Sequence, residues 1–407
     1  MTRLPATIDL ARASRTSWDA VVAGAGPAGS VAARELALRG LRTLLVDRKS
    51  FPRDKTCGAC VNRRAISALA QLGLEGILER SNAVPLDRFR VQSCGRQVVV
   101  PLPGGVAVTR AALDSGLVEA AVEAGADFLP ETTATLADAS EDGCSRDVQL
   151  VSRENATCTV PARVVLLSDG LGNSTLKRHG EFRSTLATAS RIGFGAVVRD
   201  FPDSYETGTI FMAVARGGYV GLVRVEDGSL NIAAALDPGF LKGRGRQAEP
   251  IARVLQESGF GAIDGLESAN WSGTVRLTRR LLRPAGNRVL LLGDAAGYVE
   301  PFTGEGIATA LCSGAAAASL VSSRLESWDR RVEREWLSRH RRLVHGRQHW
   351  CRWLARLARH PRAVRAALST VALFPWLLRP VVKHLNQPPT NLAGPADSRD
   401  TTRKPSS

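Results

Sequence analysis

Three glycines and one acid are the first residues in this chain whose spacing can do chemistry. Gly24, Gly26 and Gly29 form Gly-x-Gly-x-x-Gly, directly after the apolar run 19–23 and directly before a helical stretch reaching Gly40. Residues 41–47 are a second apolar run, and it ends in the carboxylate of Asp47. A turn of this kind between a buried strand and a helix offers backbone N–H groups and a positive dipole end to phosphates. The glycines have separate duties: a tight turn, close approach of backbone to a pyrophosphate, and close helix–strand packing. Asp47 stands where a carboxylate accepts from ribose hydroxyls. Strand, turn, helix, second strand and acid agree, so a dinucleotide site is expected.

Two more strand-to-loop junctions follow. The apolar run 162–167 leads into Ser168-Asp169-Gly170-Leu-Gly172, with Asp169 expected to shape the pyrophosphate region from outside. The run 287–292 delivers Gly293-Asp294-Ala-Ala-Gly297, then Pro301-Phe-Thr-Gly304-Glu305-Gly306. Asp294 can accept from sugar hydroxyls, and the N–H groups at Gly304 and Gly306, opening the next helix, can face an electron-rich ring edge. Cys57-Gly-Ala-Cys60 is a Cys-x-x-Cys pair. A zinc half-site needs a second pair, and none follows, so no metal is expected. The pair remains open between a reactive thiol, packed cysteines and a disulfide. Five of the six histidines lie beyond residue 339 and none accompanies a nucleophile elbow, which leaves a Ser/His/Asp hydrolase unsupported.

The elements that must position these residues can be read around them. Asn62 can cap a helix with Ile66, Leu69 and Leu72 on its apolar face, ending at Gly73. Residues 88–100 alternate and turn at Cys94-Gly95. Thr109 caps a second helix, with Arg110 at its start and Gly125 at its end. Residues 190–275 read as mostly β, over 195–199, 208–215, 218–225 and 230–235, with a helical insert at 252–257. From Ile307 the chain is alanine-rich and helical, and helices continue to about 385.

The chain has 407 residues and a formal net charge of +15. Residues 324–385 hold fifteen Lys or Arg against four Asp or Glu, so most of the excess sits there. No run of 18 apolar residues exists, and the first 17 residues do not read as a secretory signal, so a reduced, cytoplasmic chain is expected. Five of the seven tryptophans lie in 328–376, beside arginines at 352, 356 and 359. Arg-rich, Trp-bearing helices suit an anionic membrane surface, on the inner face of the membrane. The plainer alternative is helices packed on the body with a solvated basic face. Nucleic-acid binding is not expected, since no recognised module accompanies the charge.

The three junctions together resemble the FAD-dependent oxidoreductases of the aromatic-hydroxylase type, and more narrowly the geranylgeranyl reductases, over about residues 18–320. The segment Gly293-Asp-Ala-Ala-Gly-Tyr-Val-Glu-Pro-Phe-Thr-Gly-Glu-Gly-Ile307 matches that family's Gly-Asp-Ala-Ala-Gly, proline, Gly-Glu-Gly-Ile pattern, and 51–58 is similar to its Pro-Arg-x-Lys-x-Cys-Gly loop. The resemblance implies FAD as cofactor, with Arg110 approaching it and Cys57 near the flavin face. It implies an α/β fold: a Rossmann-type FAD-binding domain, an inserted antiparallel β-sheet substrate domain and C-terminal helices. The matching organisation is a leader (1–17), an FAD-binding domain (18–80, 106–180, 285–320), a substrate domain (81–105, 181–284), basic helices (321–385) and a disordered tail (386–407). Where the reductases carry Tyr-x-Trp-x-Phe-Pro, this chain keeps Tyr219 and has Gly221, Val223 and Arg224. The implied activity is hydride transfer from reduced FAD to a C=C bond of an apolar isoprenoid-like substrate, with Cys57, Tyr219 or water giving the proton. The alternative is a flavin monooxygenase acting on an aromatic or polyketide-like substrate. No second Gly-x-Gly-x-x-Gly exists, so NAD(P)H would dock transiently, or a reduced ferredoxin or flavoprotein partner would supply electrons. The basic helices could dock such a redox partner.

Overall fold

The computed structural model describes residues 2–140, 143–172, 174–176, 179–242, 246–300, 304–389 and 392. Residues 301–303 of the third junction, and 393–407 of the tail read as disordered, lie outside the described residues.

The three apolar runs that precede the junctions lie side by side. Trp18–Ala23 pairs in parallel with Thr43–Val46 on one side and with Thr157–Leu167 on the other, and Val289–Leu291 pairs in parallel with the latter. Asp127–Leu129 completes the parallel row beside Thr43–Val46. Parallel strands covered on both faces read as continuous apolar runs rather than alternation, and Thr43–Val46 and Val289–Leu291 are buried at every position. All three junctions therefore open at the carboxyl end of one sheet, where α/β folds bind ligands.

Helix Pro27–Ala37 covers one face and is itself pressed against the alanine-rich helix Glu305–Arg324. The approach is close because Gly314 has no side chain: a Cβ there would lie 2.3 Å from the Ala28 carbonyl oxygen. By length and composition Glu305–Ser327 could cross a membrane, but 61% of its apolar window is buried inside the protein, where it forms the central core helix. Trp336, fully buried on helix Arg330–Leu357, closes this layer and donates its indole N–H to the Leu291 carbonyl.

The chain leaves this body twice to build a second, mostly antiparallel sheet. Its strand order is Ser272–Arg276, Ile192–Val198, Leu230–Leu236, Gly218–Arg224, Thr209–Ala215, Arg88–Ser93, Arg96–Pro101. Helix Ala248–Ser258 packs on one face, and the C-terminal helix Pro361–Leu373 packs on the other through Val364 and Leu368.

Several expectations change. Residues 1–17 are not a loose leader: Leu4 donates to the Phe51 carbonyl and Thr7 to that of Phe128, both at 3.0 Å, and a short helix, Leu10–Arg15, buries Ala13. The insert expected at 252–257 is the longer helix Ala248–Ser258, ended by Gly259 at φ +103°. The strand expected at 287–292 shrinks to Val289–Leu291, because Arg288 sits at φ +55°, outside strand geometry. The start of the tail is tied down: the Gln71 amide donates to the Pro389 carbonyl at 3.2 Å and accepts from the Leu392 N–H at 3.0 Å.

Two tests follow from this packing. Gly314→Ala would gain about 1 kcal/mol of helix propensity in free helix. Against the Ala28 carbonyl the substitution is expected instead to destabilise by about 2 kcal/mol in denaturant unfolding, and a net gain would show that the two helices separate freely. His340, beside Trp336 with ring centroids 6.0 Å apart, is pushed down by burial from 6.5 to about 4. A depressed histidine stabilises fully above its unfolded value, and that contribution is lost as pH falls from about 6.5 to about 4. The wild type is expected to lose about 2 kcal/mol relative to His340→Phe across that window, the full shift being discounted for the ring's partial solvent contact. Parallel pH–stability curves would contradict it.

Candidate functional site

Gly24 turns the chain at φ +104°, and a Cβ on it would lie 2.5 Å from the Ser168 carbonyl oxygen. A Cβ on Gly29 would lie 1.9 Å from the Gly24 carbonyl oxygen. The first and second junctions are thus in backbone contact, and Ser168 Oγ donates to the Gly24 carbonyl at 2.6 Å. Gly26 is different. A Cβ there would meet only the Arg53 and Arg110 guanidinium groups, at 3.6 and 3.7 Å. Gly26 is also the N-cap of Pro27–Ala37 and gives it no side-chain cap. The Ser30 hydroxyl, buried in the first turn, has no hydrogen-bond partner. An uncapped helix N-terminus, an orphaned hydroxyl and two guanidinium groups make a cradle for a diphosphate.

Both cations are held by Asp114, which is fully buried. Arg110 Nε and Nη2 donate to its two oxygens at 2.8 and 2.7 Å, and Arg53 Nη2 lies 3.3 Å from it. Arg110 is buried, which works against its charge, but Asp114 and then Cys57 raise its pKa above the usual arginine value.

On one side of the cradle is a cavity of about 160 Å³ lined by Gly24, Asp47, Arg53, Ser168 and Asp169. Asp47 accepts from the Ala25 N–H at 2.8 Å and the Lys49 N–H at 2.9 Å, so the carboxylate is aimed by its own loops. Asp169 accepts from the Thr175 N–H and hydroxyl, which closes the second junction into a compact loop.

On the other side lies Asp294, beside a cavity of about 50 Å³ that Gly293, Tyr298, Glu305, Gly306 and Cys351 also line. Burial raises the Asp294 carboxyl, with Lys55 and Arg110 opposing. Lys55 is lowered by burial and then by Arg110. Gly304, at φ +67°, starts helix Glu305–Arg324, and Glu305 is clamped to Arg64 at 3.0 Å, which fixes that helix N-terminus on Arg63–Gln71.

Cys57 shares its surroundings with Tyr298, whose hydroxyl is raised by burial and by Asp294, Tyr219 and Cys57. Cys60 is turned away, its thiol on the Gly58 carbonyl and pushed up to about 12 by burial, with Cys57 adding. Cys57 and Cys60 form no disulfide, and no cluster of metal-binding side chains occurs among the described residues. Tyr219 is buried beneath the Arg191 guanidinium, 5.3 Å from ring centre to Cζ. Arg191 reaches Glu300 at 3.3 Å, and Arg359 reaches Asp237 at 2.8 Å. The Tyr219 hydroxyl is raised by burial and then by Glu300, with Arg191 opposing.

The structure thus places Gly24, Asp47 and Asp169 on one cavity and Gly293, Asp294 and Gly306 on a second, with Gly26 facing Arg110, whereas Gly29, Gly304 and Cys57 line neither cavity. Tyr219 stands in an ionic network. Sequence reading missed Asp114, Tyr298, Arg191 and Glu300. Glu300 and Tyr298 lay inside the quoted third motif, whereas Arg191 and Asp114 carry no motif at all.

The FAD binding domain family matches residues 17–328. Menaquinone reductase of Mycobacterium tuberculosis is 31% identical over 336 residues, covering 76% of this chain and 77% of that protein. Digeranylgeranylglycerophospholipid reductase of Thermoplasma volcanium is 26% identical over 353 residues, covering 84% and 87%. Among solved structures, the flavin-dependent brominase Bmp2 superposes with a TM-score of 0.74 at 17% identity, over 91% of this chain and 94% of that one. The p-nitrophenol 4-monooxygenase of Pseudomonas putida superposes at 0.72 with 15% identity, over 92% and 99%. At such identities the likeness is one of fold. The family match and the reductase relatives give the identity: the chain belongs to the FAD-binding-domain family, as a geranylgeranyl reductase-like FAD-dependent oxidoreductase of the aromatic-hydroxylase-type superfamily.

Proposed function

We propose that FAD lies across both cavities with its adenosine at Asp47 and its flavin beyond Asp294, and that the enzyme reduces a carbon–carbon double bond of an apolar, isoprenoid-like lipid. In this reading Gly24, Gly26 and Gly29 give the diphosphate room, and Arg53 and Arg110 neutralise it. Asp294 takes the ribityl hydroxyls. The helix N-terminus at Gly304–Gly306 faces the ring edge that gains negative charge on reduction. Bound and reduced, FAD supplies a hydride to one alkene carbon.

The chain must supply a proton to the other carbon, and the Arg110 guanidinium, fixed by Asp114 near the Cys57 thiol, is the observation that carries the reading. A thiol that gives up its proton leaves a thiolate, and a guanidinium fixed by Asp114 is already in place to balance it. Water returns the proton afterwards. The second sheet's apolar face, which includes Met212, Val214, Ala235 and Leu277, is shared between the C-terminal helix and Tyr298 of the third junction. The substrates in the relatives' names, menaquinone and digeranylgeranylglycerophospholipid, are lipids of the matching class. The reductant, NAD(P)H or a reduced ferredoxin or flavoprotein, docks without a nucleotide fold of its own in this chain.

Two variants test this. Cys57→Ala is expected to keep its FAD and its rate of reduction by dithionite. Reoxidation of the reduced holoprotein by menaquinone or digeranylgeranylglycerophospholipid should slow about 10²–10⁴-fold. Wild-type turnover in that variant would remove Cys57 as the proton donor, and oxygen uptake with a hydroxylated product in the wild type would overturn reduction and establish the monooxygenase. Gly29→Ala places a Cβ against the Gly24 carbonyl and is expected to purify without visible flavin absorbance. Stoichiometric FAD in that variant would remove the diphosphate cradle from the first junction.

A further inference from the structure

Helix Pro361–Leu373 uses one face, through Val364, Leu368 and Val371, to pack on the second sheet. The chain then bends by 116° into Pro375–Leu385. Neither Pro375–Leu378 nor Arg379–Leu385 contains a buried residue. At the bend, four large apolar side chains point to solvent: Leu373 is 71% exposed, Phe374 49%, Trp376 58% and Leu377 40%. Scattered exposed apolar residues are ordinary, but four within five positions at a rigidly anchored tip are not. Arg362, Arg365, Arg379 and Lys383 are exposed on the two arms that meet at the bend. No Asp or Glu occurs anywhere between Trp336 and Ala396.

We propose that this bent helix pair seats the enzyme on an anionic lipid bilayer, with Leu373, Phe374, Trp376 and Leu377 entering the headgroup boundary and the four cations meeting lipid phosphates. An apolar tip between two basic arms is an arrangement that binds such surfaces, with insertion and charge acting together. A second copy of this chain does not fit the same patch. A symmetric pairing would bring two acid-free, basic surfaces together, and like charges would oppose it. Behind the tip, a groove of about 780 Å³ runs between Val98–Pro101 and the bent pair, lined by Val98, Val100, Val371, Trp376 and Val382. It gives an acyl chain displaced by the tip an apolar wall to lie against.

The surface is independent of the proposed chemistry, since vesicle binding needs no turnover. The holoprotein is sedimented with vesicles of equimolar phosphatidylglycerol and phosphatidylcholine, and with vesicles of phosphatidylcholine alone. Binding to the anionic vesicles is expected to be at least about tenfold tighter than to the neutral ones. The Phe374→Ser/Trp376→Ser double variant, altered only at exposed positions and checked for retained flavin, should bind about tenfold less to either. Brominated lipid should quench tryptophan emission in the wild type and much less in Trp376→Phe. Equal binding by wild type and double variant, no binding to either vesicle, or quenching unchanged in Trp376→Phe would overturn the proposal. A wild-type dimer that the double variant dissolves would assign the patch to a second copy instead.

Discussion

Asp114 is the charge on which the rest of the site depends. A carboxylate with no solvent exposure is costly to bury unless cations meet it, and Arg110 and Arg53 both do. The converse matters more. Two guanidinium groups over the N-terminus of Pro27–Ala37 repel each other and the helix dipole, and Asp114 is the acid that meets both, with Asp47 also 3.6 Å from Arg53. The buried acid therefore stores positive charge at the one place where a diphosphate arrives. The same Arg110 lies near the Cys57 thiol, so in the proposed reduction a single anion serves both the diphosphate and the proton.

A second constraint joins the two sheets. Arg191 is fully buried and starts a strand of the second sheet, whereas Glu300 follows the third junction of the first. Their ion pair fixes the apolar sheet face against that junction. Arg359 near the end of Arg330–Leu357 draws the C-terminal helices into the same network through Asp237, and Arg191 also donates to the Ala358 carbonyl. The bent pair is thus anchored to groups that surround Tyr219.

Much of this was legible in the sequence, for a physical reason. Buried parallel strands require unbroken apolar runs, and backbone that touches backbone requires glycine. Gly24, Gly29 and the runs before all three junctions announced the parallel sheet and the cavities at its end. Helix caps were equally readable, since Asn62 and Thr109 accept from the N–H groups three residues on. Charge partners across the fold were not. Nothing local marks Asp114 as the acid beneath two arginines, or pairs Arg191 with a glutamate 109 residues away. The leader misled for a related reason: its anchors are backbone bonds to Phe51 and Phe128, the Thr7 hydroxyl on Asp127 and Phe128, and the buried side chains of Ile8 and Ala13, which leave no periodic pattern.

Tyr219 shows where motif and geometry part. A tyrosine in the substrate sheet reads as a proton donor when the pattern around it is all that is known. In place, it is buried under a guanidinium and beside a glutamate, and burial together with Glu300 holds its proton tightly. A group that releases its proton so reluctantly serves better to shape the pocket wall than to feed a carbanion-like centre. Both candidates have a paired guanidinium nearby, Arg110 with Asp114 for Cys57 and Arg191 with Glu300 for Tyr219, and they differ in that Glu300 acts to keep the tyrosine protonated; in the proposed reduction the thiol is therefore the acid and the tyrosine its enclosure.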